Sequence, residues 1–375
     1  MSELPSIAVI GRGLIGSAAA RHLANEGLAP ALIGPTEPVD KLSHRGVFAS
    51  HYDEGRITRK NATDRYWAEA SIASIKRYAE IEVASGITFF SPVGALTAGA
   101  EDGDFLGETR AVAKVLSVSH QDLKGKTLTH TFPDLTLPDG WSALWEPGES
   151  GHISPRRLVA AQSKLAEAAG ATLLDVAVTG LDETSTGVQV HTGAGVQVFD
   201  QVLVAAGGMT DHVLGRPLSY RVCGRTVALF EVSELEATRL AYLPSLVMGT
   251  PERHYLLPPI RYPDGKVYMK LGGDPDDILL TSPDEIGDWF RTGGRAEVRD
   301  DLGARFRALF PGVTSTSVKM DACMTTWTND LRPEIARLSD RVSVASAGNG
   351  AGAKCSDELG RRGAALIANE LGKGR

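Results

Sequence analysis

The sequence predicts an α/β fold with two domains, one Rossmann-like and discontinuous and the other built mainly from an antiparallel sheet. Strand–glycine–helix units occur near both ends of the chain, and short strands dominate residues 222–271. The length of 375 residues allows two interleaved domains, because one domain takes roughly 150 residues. We assign to the first domain residues 1–85, 151–215 and 320–375, and to the second domain residues 86–150 and 216–319.

The composition is that of a globular protein, with 42% hydrophobic and 23% charged residues. The net charge of −7 argues against nucleic acid or an anionic membrane as a partner. The three cysteines form neither a disulfide framework nor a CxxC pair, and the nine histidines form no ligand-spaced cluster. With no apolar run of about 18 to 20 residues, we expect a soluble cytoplasmic protein without a metal.

The first elements are a short apolar strand over residues 6–10, a glycine turn and an Ala-rich helix that stops at Gly27. A second strand follows at residues 31–33, and Ser154-Pro155 has the residues of an N-cap and first turn. Downstream, the patterns predict helices near residues 63–84, 104–117, 154–169, 283–291, 297–309 and 354–371, a hairpin over 89–98, and strands near 172–181, 187–191, 196–205, 226–232, 267–271, 315–327 and 341–346.

The turn after the first strand has the pattern G-x-G-x-x-G. Glycine permits the tight turn, the close approach of backbone to a pyrophosphate and the close packing of helix on sheet, while the helix N-terminus faces the anion. A purely structural glycine turn is the alternative, but the position between strand and helix favours a dinucleotide. The expected contacts are Gly11, Gly13, Leu14, Ile15 and Gly16.

The acid that binds the adenosine ribose should lie about 20 residues after this fingerprint. Gly34-Pro35 occupies that place, and Glu37 is the nearest acid. We therefore take Glu37 as the candidate for this contact.

The fingerprint alone does not distinguish a nicotinamide from a flavin dinucleotide. A second glycine-ended strand, residues 202–208, follows a stretch of β structure, and a third glycine-rich loop, residues 348–354, precedes the C-terminal helix. This distribution suits a long cofactor contacted by distant chain segments, which favours a flavin.

The sequence resembles the monomeric sarcosine oxidase group of FAD-dependent amine oxidases, which includes N-methyltryptophan oxidase, within the D-amino-acid oxidase superfamily. The resemblance spans nearly the whole chain. It is carried by the N-terminal fingerprint and by Ser43-His44, Gly55-Arg56-Ile57-Thr58-Arg59, Ser150-Gly151, Ala206-Gly207, Met269-Lys270-Leu271-Gly272, Cys323-Met324 and Gly350-Ala351-Gly352-Ala353-Lys354. The first domain is then expected to bind FAD and the second to bind the substrate.

This resemblance implies oxidation of a secondary amino acid, either N-alkyl or cyclic. A hydride equivalent passes from the carbon next to nitrogen to flavin N5, the imine hydrolyses, and molecular oxygen becomes hydrogen peroxide. The alternatives are a dehydrogenase or demethylase with another electron acceptor, a non-catalytic protein that senses an amine, and a nicotinamide dehydrogenase. The expected partners are a small amine or amino acid and oxygen, with the chain a monomer or weak dimer.

Cys323 is implied to join the 8α-methyl carbon of the flavin through sulfur, since a thiolate is the nucleophile that such a bond needs. A buried, inert cysteine is the alternative. Further cofactor contacts are expected from Glu37, Ser43, Arg56, Gly207, Gly348, Gly350, Gly352 and Lys354.

Lys270 lies on a strand on which Val267, Met269 and Leu271 share one face, so that Tyr268 and Lys270 share the other. Periodicity alone makes Lys270 a solvated lysine. The resemblance instead implies a catalytic lysine on the N5 side of the flavin, where a fixed cation would stabilise superoxide.

Arg56 and Arg59 are three residues apart, so a strand would place them on opposite faces. The resemblance implies that Arg56 lies against the flavin and keeps the substrate amine unprotonated. It also implies that Arg59 and Lys354 together bind the substrate carboxylate. Two surface arginines paired with Asp53 and Glu54 are the alternative.

Two positions depart from the sarcosine oxidase pattern. Thr325 stands where a tyrosine is expected and Asp274 where a histidine is expected, whereas Tyr255 retains an aromatic ring near the other expected tyrosine. Asp274 is either a solvated loop residue, which its composition favours, or the partner of a cationic part of the substrate. All three are candidate substrate contacts, and we expect a larger or more polar amino acid than sarcosine.

Overall fold

The computed structural model describes residues 6–373. Its α-helices, in chain order, are α1 (Leu14–Asn25), α2 (Arg65–Ser85), α3 (Asp104–Leu116), α4 (Gly125–Thr131), α5 (Pro155–Ala168), α6 (Thr210–Leu214), α7 (Glu234–Arg239), α8 (Pro283–Thr292), α9 (Ala296–Leu309) and α10 (Gly352–Lys373). A short 3₁₀ turn covers Gly207–Met209.

The strands, in chain order, are β1 (Ile7–Ile10), β2 (Ala31–Ile33), β3 (Arg56–Thr58), β4 (Phe90–Ser91), β5 (Ala95–Ala100), β6 (Gln121–Lys124), β7 (Trp141–Glu146), β8 (Gly151–Ile153), β9 (Thr172–Leu174), β10 (Val178–Glu183), β11 (Val188–Thr192), β12 (Gly195–Phe199), β13 (Gln201–Val204), β14 (Arg221–Val232), β15 (Ser245–Met248), β16 (Tyr255–Arg261), β17 (Val267–Gly272), β18 (Ile278–Leu279), β19 (Ser317–Trp327), β20 (Glu334–Arg337) and β21 (Val342–Ser346).

A six-stranded sheet, in the order β20-β21-β13-β1-β2-β9, gathers strands from both ends and the middle of the chain. All its pairs are parallel except the edge pair β20-β21. One face carries Val9 and Leu203 against Leu23 of α1 and Ile367 of α10. The other face packs on a three-stranded antiparallel sheet, β10-β11-β12. The predicted discontinuous Rossmann-like domain is thus confirmed.

The second large sheet has nine strands. Its order is β18-β14-β17-β16-β15-β5-β7-β6, with β19 also paired to β14, and every pair except β15-β5 is antiparallel. Met269 and Leu271 of β17 pack with Phe306 of α9 in the main core on one face. The fold class predicted from the sequence is therefore confirmed for this domain as well.

The predicted hairpin over residues 89–98 is wrong. Strand β4 pairs with β8 in a small sheet with β3, whereas β5 pairs with β7 and β15. Gly151 permits this arrangement, because a Cβ there would lie 2.1 Å from the Ser91 carbonyl oxygen. The backbone of β8 thus approaches β4 too closely for any side chain at this position.

Helix caps predicted from the sequence are confirmed. The Ser154 side chain accepts a hydrogen bond from the Arg157 amide, with Pro155 in the first turn of α5. The predicted boundary at residue 320 falls within β19, which pairs with β14 over its whole length. The other domain boundaries stay a prediction. Within residues 6–373, no helix could cross a membrane, and no cluster of metal-ligating side chains occurs.

Candidate active site

A cavity of about 1340 Å³ lies at the carboxyl ends of the parallel strands. Its walls include the segments that follow β1, β2, β13 and β21, which is where open α/β sheets bind their ligands. On its far side the cavity reaches the nine-stranded sheet at Val247, Tyr255 and Cys323. One continuous cavity therefore joins the two domains.

Two of the three fingerprint glycines, Gly11 and Gly16, stand where only glycine fits. Gly11 has φ +108°, and a Cβ there would lie 2.3 Å from the Ala205 carbonyl oxygen. A Cβ on Gly16 would lie 1.8 Å from the Gly11 carbonyl oxygen. The N-terminus of α1 is thereby held against the strand ends. Gly11, Gly13, Leu14 and Ile15 line the cavity, whereas Gly16, also predicted as a cofactor contact, does not and packs against Gly11 instead.

The substitution Gly16→Ala is expected to abolish retention of the dinucleotide, because the added methyl group displaces the turn that faces it. The measurement is cofactor absorbance after gel filtration. Gly107→Ala in α3 is the matched control, since a Cβ there meets nothing within 4 Å. Equal cofactor content in both variants would contradict this assignment of the turn.

Most of the other predicted cofactor contacts also line the cavity. They are Arg56, Gly207, Cys323, Gly348, Gly350, Gly352 and Lys354. A Cβ on Gly348 would lie 2.7 Å from Gly352 Cα, so the loop before α10 is tightly folded. The long cofactor expected from the sequence thus finds backbone from three distant glycine segments along one cavity.

Two predicted cofactor contacts lie elsewhere. Both carboxylate oxygens of Glu37 accept hydrogen bonds from Arg156, at 2.9 and 2.7 Å, and Glu37 does not line the cavity. Ser43 is exposed and donates a hydrogen bond to Asp40 at 2.6 Å. The structure therefore supports neither residue as a cofactor contact, because each is engaged by another side chain outside the cavity.

Ser50 and His51 line the cavity although sequence reasoning missed them. The His51 Nδ1 atom is buried without a hydrogen-bond partner in the described part of the chain, and a Cβ on Gly13 would lie 3.9 Å from it. Burial, with the nearby Arg156 and Arg12, lowers the pKa of His51 to about 3. An unpaired ring nitrogen thus faces the fingerprint turn. Because buried polar atoms are normally hydrogen-bonded, a cofactor bound at this turn would supply its missing partner. The Ser-His dipeptide occurs three times, at 43–44, 50–51 and 119–120, and only the second copy lines the cavity.

Arg56 brings Cys323 and Asp53 together. Its Nη2 atom donates to the Cys323 Sγ atom at 3.0 Å, and its Nη1 atom lies 2.8 Å from Asp53 Oδ2. Burial disfavours the charge on Arg56, but Cys323 and Asp53 outweigh it and raise its pKa. The Cys323 sulfur thus lies at the cavity wall beside a positive charge.

Lys270 is fully buried, so the solvated alternative is wrong. Its Nζ atom donates to Asp53 Oδ2 and, at 3.0 Å, to the Gly55 carbonyl oxygen. The loop before β3 covers the sheet face that periodicity left open. Lys270 does not itself line the cavity, but its Nζ atom lies 5.8 Å from the ring centre of Tyr255, which does.

Arg59 and Lys354 both line the cavity. Strand β3 ends at Thr58, so Arg59 is free of the alternation that would have turned it away from Arg56. Burial lowers the pKa of both groups, and the positive charge of Arg59 also lowers the pKa of Lys354. Within residues 6–373, neither makes an ion pair with a carboxylate. The alternative was that Arg56 and Arg59 pair with Asp53 and Glu54 at the surface. Only the pair of Arg56 with Asp53 is present, since Glu54 pairs with Arg156 and Arg157.

The three remaining candidates, Tyr255, Thr325 and Asp274, also line the cavity, and they differ in how other groups of the protein hold their side chains. Tyr255 packs over Gly272, where a Cβ would lie 2.3 Å from the ring. The Thr325 hydroxyl accepts a hydrogen bond from Trp327 Nε1 at 2.7 Å. The Asp274 carboxylate is buried, with Arg295 at 2.6 Å and the Thr226 amide at 2.9 Å. The solvated alternative for Asp274 is wrong, and its charge is already paired within the protein.

A glycine-lined cavity at the carboxyl ends of a parallel sheet defines a dinucleotide-binding protein, and Arg59 and Lys354 line the same cavity. The family model described as FAD dependent oxidoreductase (DAO) matches residues 6–366. The chain belongs to this family. Membership decides between nicotinamide and flavin in favour of FAD, and the glycine segments and the free His51 nitrogen fit such a cofactor.

The chain is similar to monomeric sarcosine oxidase of Bacillus sp. (strain NS-129), with 27% identity over 96% of this chain and 92% of that protein. It is also similar to N-methyl-L-tryptophan oxidase of Yersinia pestis (strain Pestoides F), with 24% identity over 96% and 94%. Among solved structures, NikD, an unusual amino acid oxidase, superposes with a TM-score of 0.75 at 22% identity over 96% and 94%. The resemblance predicted from the sequence is confirmed.

Proposed function

We propose that this protein is a FAD-dependent oxidase of a secondary amino acid, N-alkyl or cyclic, that uses oxygen and releases hydrogen peroxide. The observation that carries the proposal is the pair of cations at Arg59 and Lys354. Both line the cavity without a carboxylate partner in the described chain. Buried cations are costly unless an anion joins them, so the pair supports a substrate carboxylate.

The substrate would be held and oriented by the chain as follows. Arg59 offers a planar fork to the carboxylate and Lys354 a point charge. The positive charge of Arg56 disfavours a protonated substrate amine, since a like charge lowers an amine pKa. Bound FAD would accept the hydride equivalent from the carbon next to nitrogen. We place this enzyme in the cytoplasm, as a monomer or weak dimer. Its three cysteines form no disulfide bond in the described structure.

The experiment is an anaerobic screen of N-methyl and cyclic amino acids in which the yellow chromophore is followed. The proposal requires that at least one amino acid bleaches the flavin and that the matching amine without a carboxylate does not. Equal bleaching by both members of a pair would contradict the role of Arg59 and Lys354. Bleaching by no compound would support a non-catalytic protein that senses an amine.

A dehydrogenase or demethylase with another electron acceptor is the second candidate. It is favoured by Lys270, whose ammonium is ion-paired with Asp53 and does not line the cavity. A paired cation stabilises superoxide less than a free one does. Mixing the reduced enzyme with air in a stopped-flow instrument separates the candidates, because slow return of the yellow colour is expected only of the dehydrogenase.

The proposal includes a covalent bond between Cys323 and the flavin, supported by the 3.0 Å contact of its Sγ atom with Arg56. The expected result is that acid precipitation leaves the yellow colour in the wild-type pellet and releases it from Cys323→Ser. Cys223→Ser, which changes a buried cysteine outside the cavity, should behave as wild type. Yellow colour in the supernatant of the wild-type protein would refute the bond.

A further inference from the structure

The carboxylate of Asp53 forms ion pairs with two cations through the same oxygen atom. Lys270 and Arg56 both contact its Oδ2 atom, while Tyr262 donates to Oδ1 at 3.1 Å. The amides of Glu54 and Gly55 also donate to Oδ1, at 2.8 and 3.3 Å. Every acceptor position of this carboxylate is thus filled, and the group is fixed in place.

Within residues 6–373, Asp53 is the only carboxylate that forms an ion pair with Lys270. Its side chain is fully buried, and its remaining hydrogen-bond partner is the neutral Gly55 carbonyl group. The other groups that face it are the ring of Tyr255, 5.8 Å from Nζ, the positive Arg56 and the Cys323 sulfur beside Arg56. Burial and Arg56 both favour the neutral amine, and Asp53 opposes them.

Removing the Asp53 charge would leave two buried cations facing each other. Arginine keeps its proton at any accessible pH, whereas a buried lysine gives up its proton readily. Lys270 would therefore become the neutral partner. This follows from the shared oxygen atom and from the complete burial, which separates the ammonium from bulk solvent.

We propose that Asp53 is a positioning residue that holds Lys270 in its protonated form and fixes its ammonium beside Arg56. Its importance for the reaction rests on the proposed function, in which a cation near the flavin assists the reduction of oxygen. The carboxylate thus determines whether that cation exists at working pH. From the sequence, Asp53 was expected only as a surface ion-pair partner of the arginines.

The first test measures unfolding by urea between pH 6 and 9 for the wild type, Asp53→Asn, Lys270→Met and the double variant. In Asp53→Asn the folded pKa of Lys270 falls below its unfolded value, so unfolding takes up a proton and stability rises with pH. The unfolding constant should then fall by up to about tenfold per pH unit more than in the wild type. Lys270→Met, alone or in the double variant, should remove this extra slope.

Equal slopes in Asp53→Asn and the double variant would overturn the proposal, whatever the enzyme oxidises. Asp53→Glu, which keeps the charge, should restore the wild-type slope. If Asp53→Asn does not yield folded protein, the double variant decides. Recovery of folded protein on removal of Lys270 supports an unpaired buried ammonium as the cause, and failure to recover contradicts it.

The second test follows reoxidation of the reduced flavin by oxygen as a function of pH. Asp53→Asn should lose rate as pH rises through one ionisation between pH 6 and 9, whereas the wild type should be flat there and Lys270→Met slow throughout. A purely structural role of Asp53 would lower the rate equally at every pH. A wild type that no amino acid reduces would refute the proposed function but leave the unfolding result intact.

Discussion

Lys354→Met is expected to raise the KM for the amino acid substrate by about 10- to 150-fold, with a smaller change in kcat. A hydrogen bond to a charged group contributes about 1.5–3 kcal/mol, and each 1.4 kcal/mol is a factor of ten. Lys354 would hold the carboxylate equally in the ground state and the transition state, and loss of such uniform binding appears in KM. Steady-state kinetics over a range of substrate concentrations measures both constants.

Lys76→Met is the matched control, because it removes an exposed lysine far from the cavity lining. It should leave KM unchanged. A normal KM in Lys354→Met, or an equal rise in the control, would contradict a carboxylate contact at Lys354.

The same residue predicts how binding depends on pH. Burial and Arg59 lower the pKa of Lys354, so its ammonium is lost at a lower pH than that of an exposed lysine. Because only the charged form attracts a carboxylate, affinity should fall as pH rises through this lowered pKa. In Lys354→Met this ionisation should disappear from the profile of kcat/KM against pH.

The features that the sequence predicts best are those that depend on residues close together in the chain. The fingerprint glycines are readable because the G-x-G-x-x-G spacing is local, although the backbone that approaches Gly11 belongs to the distant Ala205. Lys354 is readable for a similar reason, since a lysine at the start of a helix is unfavourable without an anion. The glycine prediction needed only local spacing, whereas the role of Lys354 as a carboxylate ligand came from the family resemblance.

What the sequence could not show depends on distant partners. Glu37 looks available until Arg156, 119 residues later, occupies both its oxygens. Lys270 looks solvated until the loop that carries Asp53, 217 residues earlier, closes over its sheet face. Alternation along a strand tells which side chains share a face, but it does not tell what covers that face.

Asp357→Ala is expected to destabilise the folded protein by about 3–5 kcal/mol, because it leaves the buried Arg21 without a carboxylate partner. The Asp357 side chain is fully buried in α10, where it accepts from Arg21 and Gln162 at 2.8 Å each and pairs with Arg77. These partners lie on α1, α5 and α2, so one carboxylate links the helices that cover the parallel sheet. Denaturant unfolding of the variant and the wild type measures the loss.

A surface ion pair provides the contrast. Glu69→Ala removes an exposed partner of Arg65 four residues away on α2 and should cost only about 0.3–0.5 kcal/mol. Similar losses in the two variants would show that burial of Asp357 has no special weight.

The pH dependence of the Asp357→Ala effect gives a second check on the same network. Burial alone would raise the pKa of Asp357, but His22, Arg21 and Arg77 outweigh it and hold the pKa well below its usual range. A carboxyl with a lowered folded pKa stabilises the protein fully above its unfolded pKa of about 3.9, and this contribution is lost as pH falls towards the folded value. The stability difference between wild type and Asp357→Ala should therefore shrink as pH falls below about pH 4. A difference that stayed constant down to pH 3 would mean that lost packing, and not the charge, causes the destabilisation.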